Sequence, residues 1–133
     1  MELDITQFKD MCDEFLFNRE LPIRFGTSKS SFVLAGTDSP SAIMETSIGQ
    51  GKTLVTPLHM ALITSAIAND GVLMTPYVID HTTDHKGNPV EQYEPKEYGA
   101  LLSYEESAVL KDYMKAVVEE GTGKKLEIGR AHV

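Results

Sequence analysis

The chain is poor in several things, and each scarcity removes a class of reading. Cys12 is its only cysteine, so no internal disulfide forms, and the redox compartment stays open. It has no Lys/Arg cluster: 12 basic residues stand against 20 acidic ones, for a net charge of −8. Such a chain is a poor candidate for nucleic acid or an anionic membrane surface. No apolar run approaches the roughly 20 residues needed to cross a bilayer. The N-terminal "MELDITQFKDM" is acidic and amphipathic rather than a signal peptide, so if the protein works outside the cytoplasm its export signal lies elsewhere. There is no internal repeat and no low-complexity tract. What remains is 133 residues with 41% hydrophobic content, enough for one modest core.

The pattern predicts three helices and one hairpin. The first helix is expected from Ile5 to Phe17, capped by Asp4 with Gln7 as its reciprocal partner. Ile5, Phe8, Cys12, Phe15 and Leu16 share one face. Cys12 reads as a buried apolar residue, with no His or Lys placed to activate its thiol. Residues 18–45 carry Pro22, Gly26, Gly36 and Pro40 and read as an irregular connection. Such a stretch is either a solvated linker or the border of a functional surface. The second helix is expected from Pro57 to Asn69, with Thr56 as N-cap and Asn69-Asp70-Gly71 as its stop. It has no clean polar face and therefore implies burial on most sides, in a larger body than this chain easily provides. Tyr77–Thr83 and Val90–Tyr93 read as hairpin strands around Lys86-Gly87-Asn88-Pro89. Ser103 and Glu106 form a capping box for the third helix, with Leu110, Tyr113, Met114 and Val117 as its apolar stripe and Gly121 as its stop.

Among candidate chemistries, "SIGQGKT" invites comparison with a phosphate-binding loop. That motif needs a glycine at position 46, where Thr46 stands. It also needs a helix directly after the lysine, but Thr56-Pro57 places the helix start several residues beyond Lys52. The preceding "SPSAIMET" is not a buried strand. "DHTTDH" holds Asp80, His81, Asp84 and His85. On a strand, His81 and His85 lie roughly 13 Å apart, too far for one metal, so a solvated hairpin is the default. His59 reads as a satisfied core or groove histidine. No Ser-His-Asp set is identifiable and no G-x-S-x-G occurs. No metal or cofactor is assigned.

One long stretch is more specific. "SIGQGKTLVTPLHMALITSAIANDGVLMTPYVI" resembles the middle of a penicillin-binding protein transpeptidase domain. In that family a Gly-x-Gly turn precedes a Thr-Pro-Leu-(Gln/His)-Met-Ala helix, an Ala-Asn-(Asp/Gly)-Gly stop and an extended segment after proline. Here these are Gly49-Gln50-Gly51, Thr56–Ala61, Ala68–Gly71 and the segment after Pro76. "VVEEGTGKKL" resembles the helix end and turn before the family's last catalytic strand. "FKDMCDEFLFNRELPIRF" resembles the segment after its second catalytic motif.

The resemblance implies an α+β fold: the mostly helical central portion of a serine β-lactamase-like transpeptidase, with one β-hairpin and without most of the central antiparallel sheet. It implies a D,D-transpeptidase that cross-links peptidoglycan stem peptides through a serine acyl-enzyme and is trapped by β-lactams. The family uses S-x-x-K, S-x-N and K-[ST]-G. None occurs here: "KTL" at Lys52 is not K-T-G, and Gly121-Thr122-Gly123 follows Glu120. The first two motifs are expected before Met1 and the third after Leu126, leaving this chain inactive alone. Gly49, Gln50 and Gly51 are expected near the substrate groove, with Gln50 as the contact; the other reading is a loop that only positions the Thr56 cap. The parent is expected in the bacterial cytoplasmic membrane, its domain extracytoplasmic, its anchor outside this chain, with cell-wall synthesis proteins as partners. Residues 1–126 are expected to be partial transpeptidase domain. The tail "EIGRAHV", residues 127–133, resembles translated sequencing-adapter read-through and is expected to be non-native. The alternative is a non-catalytic domain of the same architecture, a sensor or binding module in cell-wall assembly.

Overall fold

The computed structural model describes residues 4–129, with side chains through residue 125. In chain order it contains α1 (Ile5–Glu14), α2 (Pro40–Ser47), α3 (Pro57–Ala68), β1 (Val72–Met74), β2 (His81–Thr83), β3 (Pro89–Gln92), β4 (Glu97–Ala100), α4 (Tyr104–Glu119) and a 3-10 helix (Thr122–Gly129). β1 pairs antiparallel with β4, and β2 with β3. The α+β expectation holds. The expected tail begins inside the 3-10 helix, and its residues 130–133 lie outside the described residues.

The Asp4 carboxylate caps α1 by accepting from the N–H groups of Thr6 (2.9 Å) and Gln7 (3.2 Å). Ile5, Phe8, Cys12, Phe15 and Leu16 all lie at least partly inward, as their spacing predicts. Burial pushes the Cys12 thiol upward, with the Asp13 carboxylate adding to the effect. The helix stops at Glu14, three residues earlier than expected. Leu16 takes φ 67° and Asn18 φ 60°, a left-handed exit. That conformation costs about 1–2 kcal/mol for a residue with a Cβ. It sends Leu16 into the core, where it is 3% exposed. Burying a leucine side chain is worth about 1.5–3 kcal/mol, so core placement outweighs helix continuation.

Residues 18–45 are far more ordered than their composition suggests. Asn18 clamps Phe32 twice: its side-chain amide donates to the Phe32 carbonyl, and its side-chain oxygen accepts from the Phe32 N–H, each at 3.0 Å. The Asn18 N–H donates to the Ser30 carbonyl at 2.8 Å. α2 also sits in this stretch, capped by the Ser39 hydroxyl with Pro40 in the first turn. This is the same cap-plus-proline signal as Thr56-Pro57, here in front of a weakly apolar segment.

The core gathers Leu16, Leu21, Leu62, Ala66 and Leu73, with Ile23, Leu58 and Leu101 packed against it. It lies where α1's exit, α3 and β1 meet. α3 buries His59, Leu62, Ala66 and Ile67, while Met60 stays 46% exposed. Met60 and Ala61 thus mark a side of α3 left uncovered among the described residues. α4 opens with the expected capping box. Of its expected stripe, Leu110 is half-buried, while Tyr113, Met114 and Val117 are exposed. α4 meets α3 through the fully buried Ser107, whose hydroxyl donates to the Ile67 carbonyl at 2.7 Å. A small side chain permits close approach and satisfies a carbonyl near a helix end.

The β2–β3 hairpin is shorter than expected. Tyr77–Asp80 lies outside it, and pairing starts at His81 opposite Gln92. The Asp84 carboxylate organises the turn, accepting from the N–H groups of Lys86 (2.8 Å) and Asn88 (2.9 Å) and from the Asn88 side chain (2.9 Å). The β1–β4 pair is an addition to the single expected hairpin. Its strands are short and distant in sequence, so neither announces itself by alternation. Among the described residues, no helix is long and apolar enough to cross a membrane.

Candidate functional site

The Gly49–Gly51 turn occupies the connection between α2 and α3. Both glycines sit at positive φ, 78° and 79°. The Gly49 N–H donates to the Thr46 carbonyl (3.1 Å) and the Gln50 N–H to the Glu45 carbonyl (2.9 Å). These bonds close the end of α2 and turn the chain back. A Cβ on Gly51 would lie 3.1 Å from the Thr46 hydroxyl oxygen, whereas one on Gly49 would meet open space. Thr46 itself is buried and donates from its hydroxyl to the Ala42 carbonyl at 2.8 Å. The turn therefore rests on a fixed base with its tip in solvent. Gly49, Gln50, Gly51 and Lys52 are all exposed. Gln50 offers an amide donor and a carbonyl acceptor, and Lys52 an ammonium.

Beyond the tip the chain is strapped down. Leu54 and Ser31 exchange both backbone bonds, at 2.8 and 2.9 Å. The Thr56 N–H donates to the hydroxyl of buried Ser30 at 3.0 Å. The Thr56 hydroxyl then accepts from the His59 N–H, starting α3. Gly51-Lys52-Thr53 thus ends in an extended segment, and α3 begins only at Pro57.

His59 is 1% exposed. Its Nε2 lies 2.7 Å from the Phe15 carbonyl. A carbonyl only accepts, so Nε2 carries the proton. Nδ1 is buried without a hydrogen-bond partner among the described residues, as is the Thr53 hydroxyl. The ring sits 4.9 Å from that of Phe17. His59 is a buried staple between α3 and the end of α1, with one ring nitrogen satisfied.

The histidine-rich hairpin is organised differently. His81 Nδ1 meets the Asp80 carboxylate at 2.8 Å, and this bond holds Asp80 below the usual carboxylate range. Asp84 is held low first by the Asn88 side chain, then by turn N–H groups. Its carboxylate is committed to the turn. Among the described residues, no serine hydroxyl hydrogen-bonds a histidine or lysine side chain, the pairing that activates a serine nucleophile.

The model of the penicillin-binding protein transpeptidase domain family matches residues 1–131. The chain belongs to that family. Peptidoglycan D,D-transpeptidase PbpA of Mycolicibacterium smegmatis is 32% identical over 76 residues, 57% of this chain and 16% of that protein. The crystal structure of PBPA from Mycobacterium tuberculosis matches with a TM-score of 0.77 and 25% identity, covering 86% of this chain and 26% of that one. Penicillin-binding protein 2B of Streptococcus pneumoniae R6 shares the fold at a TM-score of 0.73 and 19% identity, over 92% of this chain and 21% of that one. The chain thus spans about a quarter or less of the length of these relatives.

The family membership agrees with the resemblance carried by the Gly-x-Gly turn, the Thr56-Pro57 helix and the Gly71 stop. Sequence reasoning missed the residues that hold the turn in place: Asn18, Ser30 and Ser31. Each lies distant in sequence from the turn; Asn18 and Ser30 act through their side chains and Ser31 through backbone bonds, and none of these pairings shows as a local pattern.

Proposed function

We infer that this chain is the central portion of a penicillin-binding D,D-transpeptidase that cross-links peptidoglycan stem peptides. The order of family elements around Gly49–Gly51, set on a structure that matches PBPA, carries this reading. In the complete domain the serine of S-x-x-K attacks the carbonyl of the terminal D-Ala–D-Ala bond and expels the last D-Ala. The motif lysine takes the serine proton, and backbone amides hold the oxyanion. The amine of a second stem peptide then takes the acyl group and frees the serine. A β-lactam enters by the same attack and stays bound. M. tuberculosis PBPA is known as acyl-enzymes with penicillin G and with imipenem.

None of these groups is in the present sequence, so the chain alone does not acylate. Its part is to supply the turn that borders the groove, with Gln50 presented toward substrate. The parent works at the outer face of the bacterial cytoplasmic membrane. Residues 127–133 are a non-native tail on this reading.

Sequencing the source DNA across both ends of the reading frame tests this directly. S-x-x-K and S-x-N upstream, K-[ST]-G downstream and no "IGRAHV" would establish it. A start at Met1 and a stop after Val133 would favour a non-catalytic binding module. The purified chain should take no covalent label from a fluorescent penicillin, and labelling would refute its inactivity.

A further inference from the structure

Residues 77–94, which carry the β2–β3 hairpin, are bonded chiefly to one another. The Asp80 carboxylate accepts from the Gln92 side chain and pairs with His81, and Asp84 closes the turn. None of these residues is buried. A two-stranded hairpin without a buried face contributes little to a core.

The backbone ladder breaks where this stretch meets the body. The last bond on the body side runs from the Thr75 N–H to the Lys96 carbonyl, at 2.7 Å. The first on the hairpin side runs from the Tyr93 N–H to the Asp80 carbonyl, at 2.8 Å. Pro76 and Pro95 stand between them, one in each connection, and proline has no N–H to give a ladder. Cavities rather than packed side chains lie beneath. One, of about 210 Å³, separates Ile23 and Phe25 from Tyr77, Val78 and Ile79. The other, of about 290 Å³, is edged by Thr75, Glu94 and Lys96.

Among the described residues, one side-chain cluster bonds the hairpin stretch to the body. Arg24, in the connection after α1, donates to the Tyr93 hydroxyl oxygen, and its guanidinium lies 4.7 Å from the Tyr93 ring centre. The Tyr93 hydroxyl donates in turn to Glu91 at 2.7 Å, and a Glu91 oxygen lies 3.9 Å from the guanidinium. The bond to Glu91 is the first reason that Tyr93 is pushed above its usual value, so its hydroxyl stays a donor. The Arg24 side chain is 74% exposed and that of Glu91 50%. Exposed ion pairs of this kind are individually weak and screened by salt.

We propose that the β2–β3 hairpin is a hinged arm that swings as a unit about Pro76 and Pro95 and is held down by one latch, Arg24–Tyr93–Glu91. Motion of a rigid element about a few connecting residues is a common form of conformational change. When the latch opens, residues 77–79 move away from residues 23–25 while the hairpin keeps its own bonds. The latch lies wholly within this chain and does not depend on the transpeptidase reading.

Residual dipolar couplings and amide relaxation dispersion of the isotope-labelled 133-residue chain test the latch. At low salt, the amides of β2 and β3 should share one alignment with those of α3 and α4. Tyr93→Phe keeps the ring and loses both hydroxyl bonds. It should lower the ratio of docked to open arm at least about fivefold, and the hairpin couplings should shrink while still fitting one rigid hairpin. Arg24→Gln should do the same, and the double variant should add nothing, because both changes break one latch. Raising salt from about 0.02 to 0.5 M should open the arm in the unaltered chain and leave Arg24→Gln unchanged. The α3 couplings, constant throughout, show that the fold is intact. Hairpin couplings and dispersion unaltered in both single variants would overturn the proposal. So would a hairpin that already aligns independently of α3 in the unaltered chain, or one that loses its own cross-strand bonds when the latch is removed.

Discussion

The two ends of α3 are both approached through glycine at positive φ, yet their surroundings differ. At the far end, Gly71 has φ 90°, and a Cβ there would fall 2.3 Å from the Leu102 carbonyl oxygen. The Gly71 carbonyl also accepts the Leu101 N–H at 2.8 Å, so β1 and the residues after β4 close directly over it. At the near end, Gly49 has φ 78° with open space around it. The same residue type is demanded in one place by packing and in the other by backbone direction alone. Structural glycines are crowded from outside. A turn whose tip stands in solvent needs the conformation without the crowding.

Alanine substitutions turn that contrast into numbers. Gly71→Ala combines a backbone clash with a disfavoured φ and should cost on the order of 4 kcal/mol or more, enough to unfold a marginal chain. Gly51→Ala meets only the Thr46 hydroxyl at 3.1 Å and should cost about 1–2 kcal/mol. Gly49→Ala carries the φ term alone, about 1 kcal/mol. Urea melts of the three variants give the ranking. If Gly49→Ala proves as damaging as Gly71→Ala, the two ends are not different in kind.

His59 sharpens the comparison from inside the near end. Its Nε2–H is the group that answers the Phe15 carbonyl where α1 ends. His59→Leu fills similar space and leaves that carbonyl without a partner, at about 1–3 kcal/mol. His59→Gln, whose side-chain amide donates, should recover most of the loss. A leucine variant as stable as the glutamine variant would show that shape, not the hydrogen bond, matters there.

How much of this was legible in the sequence depends on whether the deciding interaction was local. The caps at Asp4, Thr56 and Ser103 act within three residues, and all three appear where their spacing predicts. The Asp84 turn is equally local. α2 went unrecognised although Ser39-Pro40 repeats the Thr56-Pro57 signal, because its eight residues lie inside a stretch rich in Ser, Gly and Thr. The early end of α1 is tertiary: Leu16 leaves a favourable helical position for the core. The exposed stripe on α4 shows the reverse, since apolar periodicity there marks a face that the described residues do not cover. The glycine turn itself was legible by family pattern, while its straps at Asn18, Ser30 and Ser31 were not.

The capping box gives a pH-dependent test at a site far from either glycine. The Glu106 carboxylate accepts from the Ser103 N–H at 2.9 Å and from its hydroxyl at 2.8 Å. The backbone bond is the larger reason that Glu106 is held below the usual carboxylate range. A folded-state value below the unfolded one means the contribution is complete above the unfolded value and disappears as pH falls through the folded one. Helicity followed from pH 7 to pH 3 should therefore show an α4 component lost at the acidic end, and Glu106→Gln should flatten it. An identical acid profile in the variant would remove Glu106 from the stability of α4.

Gln50 sets the smallest stability effect against the most direct functional one. Its side chain is exposed, and among the described residues it makes no hydrogen bond, so Gln50→Ala should shift the melt by less than about 0.5 kcal/mol. If the turn borders the substrate groove, the same change in the complete transpeptidase removes one amide contact. A typical hydrogen bond is worth about 1 kcal/mol net, which corresponds to roughly fivefold slower acylation by penicillin. Gly71→Ala in the same protein should instead lower the amount of folded enzyme and leave the rate per folded molecule unchanged. An acylation rate unaffected by Gln50→Ala would reduce Gly49–Gly51 to a turn that only delivers the Thr56 cap. Acylation slowed with the melt unchanged would separate a turn that serves a ligand from a glycine that serves the core.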